Sequence, residues 1–154
     1  MSAGNLRRAA RLAAVQALYQ MELAGVGAEE VAEEFVAHRF GDEDADIEFF
    51  RAIVAGVPDH QAEIDKAIAA CLSENWTLAR VDSILRAILR CGVFELVARR
   101  DVPAKVVIDE YVAVAGAFFG GDEPGFVNGA LDTIARRKRA AEFGLPTPDD
   151  ELDF

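Results

Sequence analysis

The chain has 154 residues, with 27 acids against 16 bases for a formal net charge of −11; 52% of its residues are apolar and 8% aromatic. That length suits one domain with an ordinary core, and the apolar fraction excludes a wholly disordered chain. With 28% charged residues and no run near the roughly 18–20 apolar residues that span a bilayer, a membrane protein is excluded too, and −11 argues at first sight against a polyanionic ligand.

Taken in chain order, the sequence reads as helices. Leu6, Ala10, Ala13, Ala14, Ala17, Leu18 and Met21 fall at helical spacing from Leu6 to about Leu23, and Gly25 and Gly27 end that helix. An acidic helix follows from Glu29 to His38, with Val31, Phe35 and Val36 inward, and Gly41 breaks it. Asp42 to Val57 opens with four acids, which suit the positive end of a helix, and Pro58 marks the next boundary. A helix from Asp59 to Leu72 turns Ile64, Ala67, Ile68 and Cys71 inward. After the connection Ser73 to Thr77, the longest element is expected from Leu78 to Ala98, with an apolar stripe wide enough to be central. A helix from Lys105 to Phe119 turns Val107, Ile108, Val112, Ala115, Phe118 and Phe119 inward. Gly120 to Gly125 reads as a loop, and a last helix from Phe126 to Ala141 buries Val127, Ala130, Leu131 and Ile134. The expected class is all-α, a single-domain bundle of about seven helices over residues 1–142, with residues 143–154 a flexible acidic tail.

The charge is segregated along this order. Residues 1–20 hold three arginines and no acid, residues 21–65 hold thirteen acids against Arg39 and Arg51, and residues 141–154 hold five acids and no base. Residues 66–140 hold eleven bases against nine acids, including the run Arg136-Arg137-Lys138-Arg139. Steering depends on local patches, so net charge alone does not exclude a polyanion. Basic chain ends are otherwise solvated termini.

Catalytic constellations are missing. His38 and His60 lack metal-ligand spacing, so no metal or other cofactor is expected, and neither a phosphate-binding glycine loop nor a nucleophile elbow occurs. Asp109 and Glu110 are adjacent on a helix and point about 100° apart. Cys71 and Cys91 form no CxxC pair and are expected as reduced thiols in a cytoplasmic protein without a secretory signal. An enzyme is not expected.

Three segments carry more specific information. Arg7-Arg8-Ala9-Ala10-Arg11 leads into Val15-Gln16-Ala17-Leu18-Tyr19-Gln20. Ile88-Leu89-Arg90 through Glu95-Leu96 is followed by Asp101-Val102-Pro103-Ala104-Lys105-Val106-Val107-Ile108-Asp109-Glu110, and then comes Phe126-Val127-Asn128-Gly129-Ala130-Leu131-Asp132. In that order and at those separations, over about residues 5–139, they resemble the NusB family of transcription antitermination factors. The chain departs from the family pattern at Ala9, Asp109, Gly116 and Glu123-Pro124-Gly125-Phe126, and three of these changes lose positive charge or add negative charge.

The resemblance implies a non-catalytic, all-helical protein that binds a short single-stranded RNA element, boxA, together with the ribosomal protein NusE. Alongside other antitermination factors on RNA polymerase, it promotes transcription of ribosomal RNA operons. It also implies Arg7, Arg8, Arg11, Tyr19, Asp122 and Phe126 as the RNA-facing residues. Arg7 and Arg11 share a helix face, cations track phosphates and aromatic rings stack on bases. Asp122 would repel phosphate and so tune affinity. Phe126 is otherwise a core residue, Tyr19 a packing residue with its hydroxyl at the rim, and Asn128 and Gly129 shape the helix start. Arg80, Arg86 and Arg90 mark a candidate partner face, with Arg90 preferred as a structural ion-pair member. Two other readings are a detached RNA-binding domain of a ribosomal RNA methyltransferase and a protein–protein adaptor without RNA binding. The free chain is expected as a monomer or homodimer.

Overall fold

The computed structural model describes residues 2–40, 45–72 and 77–147. Among them are seven α-helices: α1 (Ala3–Ala24), α2 (Ala28–His38), α3 (Ile47–Asp59), α4 (Gln61–Ala69), α5 (Ser83–Ala98), α6 (Ala104–Phe118) and α7 (Glu123–Lys138). Two short 3-10 turns, Leu78–Arg80 and Ala140–Phe143, complete the regular structure, and no strand occurs among the described residues. The all-α class and helix number agree with the periodicity. Asp42, Glu43 and Asp44, the connection through Trp76 and the tail from residue 148 lie outside the described residues. No described helix is long and apolar enough to cross a membrane. The chain divides into two compact units, Met1–Asp59 and His60–Phe154.

In the first unit, the Ser2 hydroxyl accepts the Asn5 amide at 3.2 Å and starts α1. Gly25 ends it at φ 69°, the left-handed geometry that glycine adopts without strain, its amide donating to the Met21 carbonyl. The three helices pack pairwise. Their core sets small side chains of α1, namely Ala10, Ala13, Ala14 and Ala17, beside large ones from α2 and α3: Val31, Phe35, Phe49, Phe50, Ile53 and Val54. Phe35 stacks on Phe50 with centroids 5.6 Å apart, and Phe40 meets Phe50 edge-on at 4.9 Å. Val36, expected inward, is half-buried. The expected boundary at Pro58 falls inside α3, which continues one residue further to Asp59.

In the second unit, α5 packs against α4, α6 and α7, and every residue from Ala87 to Val97 except Arg90 is buried. The continuous helix expected from Leu78 to Ala98 is instead a 3-10 turn, an extended Val81 and then α5. Asp82 enforces the restart, because its carboxylate accepts the amides of Ile84 at 2.9 Å and Leu85 at 3.3 Å. Arg86 reinforces it by donating to the carbonyls of Leu78, Ala79 and Val81. The longest described helix is therefore α1, at 22 residues. A β-carbon at Gly92 would lie 2.8 Å from Leu131 Cδ1, so any larger residue here requires the Leu131 side chain to shift.

Other expectations also shift. Phe118, expected inward on α6, is exposed, Val112 and Phe119 are half-buried, and the wholly buried ring is Tyr111. The expected glycine loop is shorter than its composition implies: α7 begins at Glu123, with Pro124 in its first turn, where a missing amide costs nothing. Half of the basic run after Ala135 is internal, whereas Arg136 and Arg137 are exposed. Lys138 and Arg139 are buried, and all five N–H groups of Arg139 are used. They donate to the carbonyls of Leu96 at 2.6 Å, Val102 at 2.9 Å, Arg99 at 2.9 Å and Glu95 at 3.4 Å, and to Glu142 at 2.6 Å. Arg90 is the ion-pair member expected of it, with Nε and Nη2 meeting both Asp65 oxygens at 2.8 and 3.0 Å. Both cysteines are free thiols. Burial, then Glu95, pushes the Cys91 thiol well up despite Arg90, and burial raises Cys71.

Candidate nucleic-acid interface

The RNA-facing residues named from the sequence fall into two groups, one in each unit. Arg7, Arg8, Arg11 and Tyr19 stand on α1, whereas Asp122 and Phe126 stand at the start of α7.

On α1, a step of four residues turns Arg7 and Arg11 to nearly the same direction. Both guanidinium groups sit over one aromatic ring: Arg7 at 4.7 Å and Arg11 at 5.0 Å from the centroid of Phe49 on α3. Their exposure differs sharply. Arg11 is 3% exposed and belongs to the packing between α1 and α3, whereas the Arg7 side chain keeps 33% of its surface open. The expectation that Arg11 faces RNA therefore meets an inward-facing residue, because the same step that pairs it with Arg7 carries it onto the core side. Arg8, one residue on, is exposed. Tyr19 lies eleven residues beyond Arg8, close to three full turns, so both occupy one side of the helix, roughly 16 Å apart. Exposed Gln16 and half-buried Tyr19 extend that side.

Arg7 also meets Asp46. Their Nε and Oδ2 atoms are 3.6 Å apart. The other carboxylate oxygen of Asp46 accepts the Phe49 amide at 3.0 Å, capping α3, and the Asp46 amide donates to the Leu6 carbonyl at 3.0 Å. Asp46 and Phe49 were not singled out from the sequence as site residues. An acid before a helix reads as a cap, and nothing local reveals that its second oxygen faces Arg7 or that Phe49 carries two guanidinium groups.

On α7, Asp122 occupies the cap position without a side-chain capping bond, and its carboxylate is exposed. The Phe126 amide donates to the Asp122 carbonyl at 3.0 Å, which holds the two residues one turn apart. Phe126 is 36% exposed, so it does not close a core. Asn128 and Gly129 are exposed within α7 and do not shape its start, which lies five residues before Asn128.

The remaining described cations of the second unit are mostly engaged. Arg86, Arg90 and Arg139 serve the fold, Arg99 pairs with Asp101 at 3.1 Å, and Arg100 donates to the Lys138 carbonyl at 3.1 Å. A cleft of about 470 Å³ between α6 and α7 is lined by Lys105, Asp109, Asn128, Asp132 and Arg136, with Glu142 and Phe143 at its end. Arg136 is already bound to Asp132 at 2.9 Å and lies 4.8 Å from the Phe143 centroid. With three carboxylates against two cations, this cleft does not favour phosphate.

Residues 8–136 match the model of the NusB family. The chain is 56% identical over 145 residues to the transcription antitermination protein NusB of Maricaulis maris, covering 90% of this chain and 91% of that one. It is 52% identical over 143 residues to the protein of the same description from Rhizobium etli, covering 88% and 89%. Among solved structures, it is similar to Thermotoga maritima NusB, with a TM-score of 0.79 and 32% identity over 90% of this chain and 97% of that one. It is also similar to a chain in a complex of the antitermination factors NusB and NusE with dsRNA, with a TM-score of 0.73 and 27% identity over 84% and 95%.

Proposed function

The chain belongs to the NusB family, and from that premise we propose that it is a non-catalytic transcription antitermination factor that binds a boxA-type single-stranded RNA together with the ribosomal protein NusE. The observation that carries the reading is the N-terminal half of α1. There Arg7 and Arg8 present cationic groups at the surface, and Phe49 supports Arg7 from beneath. Cations of that kind track phosphates, while Tyr19 and Phe126 supply rings on which bases stack. Arg11 serves the same surface indirectly, by packing on the Phe49 ring that it shares with Arg7. The similarity to a chain in a complex of NusB and NusE with dsRNA supports NusE and RNA as partners, while the single-stranded boxA-type element is the family's. In the cytoplasm, the assembly acts with other antitermination factors on RNA polymerase and favours transcription of ribosomal RNA operons.

The test is a titration of labelled boxA-type RNA with the full chain, with and without NusE. Scrambled single-stranded RNA and a duplex of the same sequence serve as competitors. The single-stranded element binds more tightly than either competitor, most clearly in the ternary mixture. If neither mixture prefers it to the scrambled strand, the reading is wrong.

A further inference from the structure

We propose that Asp46 is a built-in competitor for RNA phosphate, a positioning residue that holds Arg7 in place and sets how strongly it binds. The inference rests on the RNA reading above and assigns a role to a residue outside the RNA-facing set. Its geometry is specific. The Asp46 backbone amide is bonded to the Leu6 carbonyl, one residue before Arg7, so the start of α3 is tied to α1 at this point. One carboxylate oxygen is committed to the Phe49 amide, which leaves the other to face Arg7 at 3.6 Å. The Phe49 ring lies against the guanidinium at 4.7 Å and limits where it can go. Arg7 is thus held between a ring and a carboxylate, with about a third of its side chain open to solvent.

A phosphate reaching Arg7 meets a cation that already has an anionic partner. Two anions around one guanidinium repel each other, so binding requires Asp46 to share or release it. The carboxylate therefore aligns Arg7 while lowering its net attraction for phosphate. Because both groups are partly solvated, the effect is a modest adjustment of affinity, not a block.

Asp46→Asn separates the two functions of the residue, since an asparagine oxygen still caps α3 while the charge facing Arg7 is gone. In the full chain with NusE, Asp46→Asn binds boxA-type RNA about two- to fivefold more tightly at low salt, the range that an exposed ion pair allows. The plot of log K against log salt steepens by about 0.7, one additional phosphate contact to a single strand. In an Arg7→Ala background, the same substitution brings no gain. Asp46→Ser, which also caps without charge, gives the same pattern and guards against a folding defect peculiar to asparagine. Tripolyphosphate, followed by the NMR shift of the Arg7 Nε–H group, provides a readout independent of RNA. If the parent chain ignores boxA-type RNA while Asp46→Asn gains tripolyphosphate at Arg7, the RNA reading fails and the competitor role stands. Unchanged affinity and slope, or an equal gain without Arg7, overturns the proposal.

Discussion

Arg139 shows what a single guanidinium does for the second unit. Its five donors meet carbonyls at the end of α5 and in the turn before α6, together with Glu142. The Glu95 and Arg99 carbonyls also accept the amides of Arg99 and Val102, and the planar fork of arginine reaches these and the carbonyls of Leu96 and Val102 at once. Lysine keeps the charge but offers three donors from one atom, so Arg139→Lys leaves buried carbonyls unmet. Thermal or urea unfolding is expected to show a loss of about 3 kcal/mol, the scale of breaking a buried charged network. A loss below about 0.5 kcal/mol would mean that solvent replaces the fork. Glu142 is the pH-sensitive end of this network. Partial burial pushes its carboxyl up, but the Ala104 amide, the Arg139 bond and charge, and Arg100 outweigh this and hold it below its ordinary value of 4.5. A depressed value in the folded state contributes stability above the unfolded value that is lost as pH falls through the folded one. The melting-temperature advantage of the parent chain over Glu142→Gln therefore holds at neutral pH and shrinks below about pH 4.5. An advantage unchanged down to about pH 3 contradicts this account.

At the scale of elements, α5 depends on close packing. Gly92 lets the Leu131 side chain of α7 approach to where a β-carbon would be, and Leu131 is itself fully buried. Gly92→Ala gains helix propensity of about 1 kcal/mol but meets an overpacking cost of about 1–3 kcal/mol. A net destabilisation of up to about 2 kcal/mol is expected in denaturant melts, and a more stable variant would show that Leu131 or α7 shifts freely. The periodicity of apolar residues made most of these helices legible, because a buried stripe has to repeat every three or four residues. The same rule missed the break at Val81 and Asp82, since Val81 and Leu85 are both buried across it and the spacing continues. The capping acid was the overlooked signal there, and Pro124 was its counterpart at the start of α7. The role of Arg139 had no local signal: four of its five acceptors lie 37 to 44 residues earlier in the chain.

For the molecule as a whole, the segregation of charge is visible in the sequence, but its use is not. Residues 66–140 carry more bases than acids, yet Arg86, Arg90, Lys138 and Arg139 are drawn into the fold, so that excess is not an equivalent positive surface. Of the arginines in α1, Arg11 is buried as well, leaving Arg7 and Arg8 as the outward cations of that helix. On the RNA reading, two or three phosphate contacts from such a chain correspond to a slope of log K against log salt of about −1.4 to −2.1. Arg8→Ala is then expected to flatten the slope by about 0.7 without moving the melting temperature, whereas Arg11→Ala lowers the melting temperature through lost packing on Phe49. Adding NusE steepens the slope beyond the range of the chain alone, provided the ribosomal partner brings the missing positive charge. Anisotropy titrations at four or five salt concentrations decide the matter. A slope indifferent to NusE would mean that the partner contributes contacts of another kind, and a slope already near −5 without it would mean that cations here assigned to the fold are open to RNA.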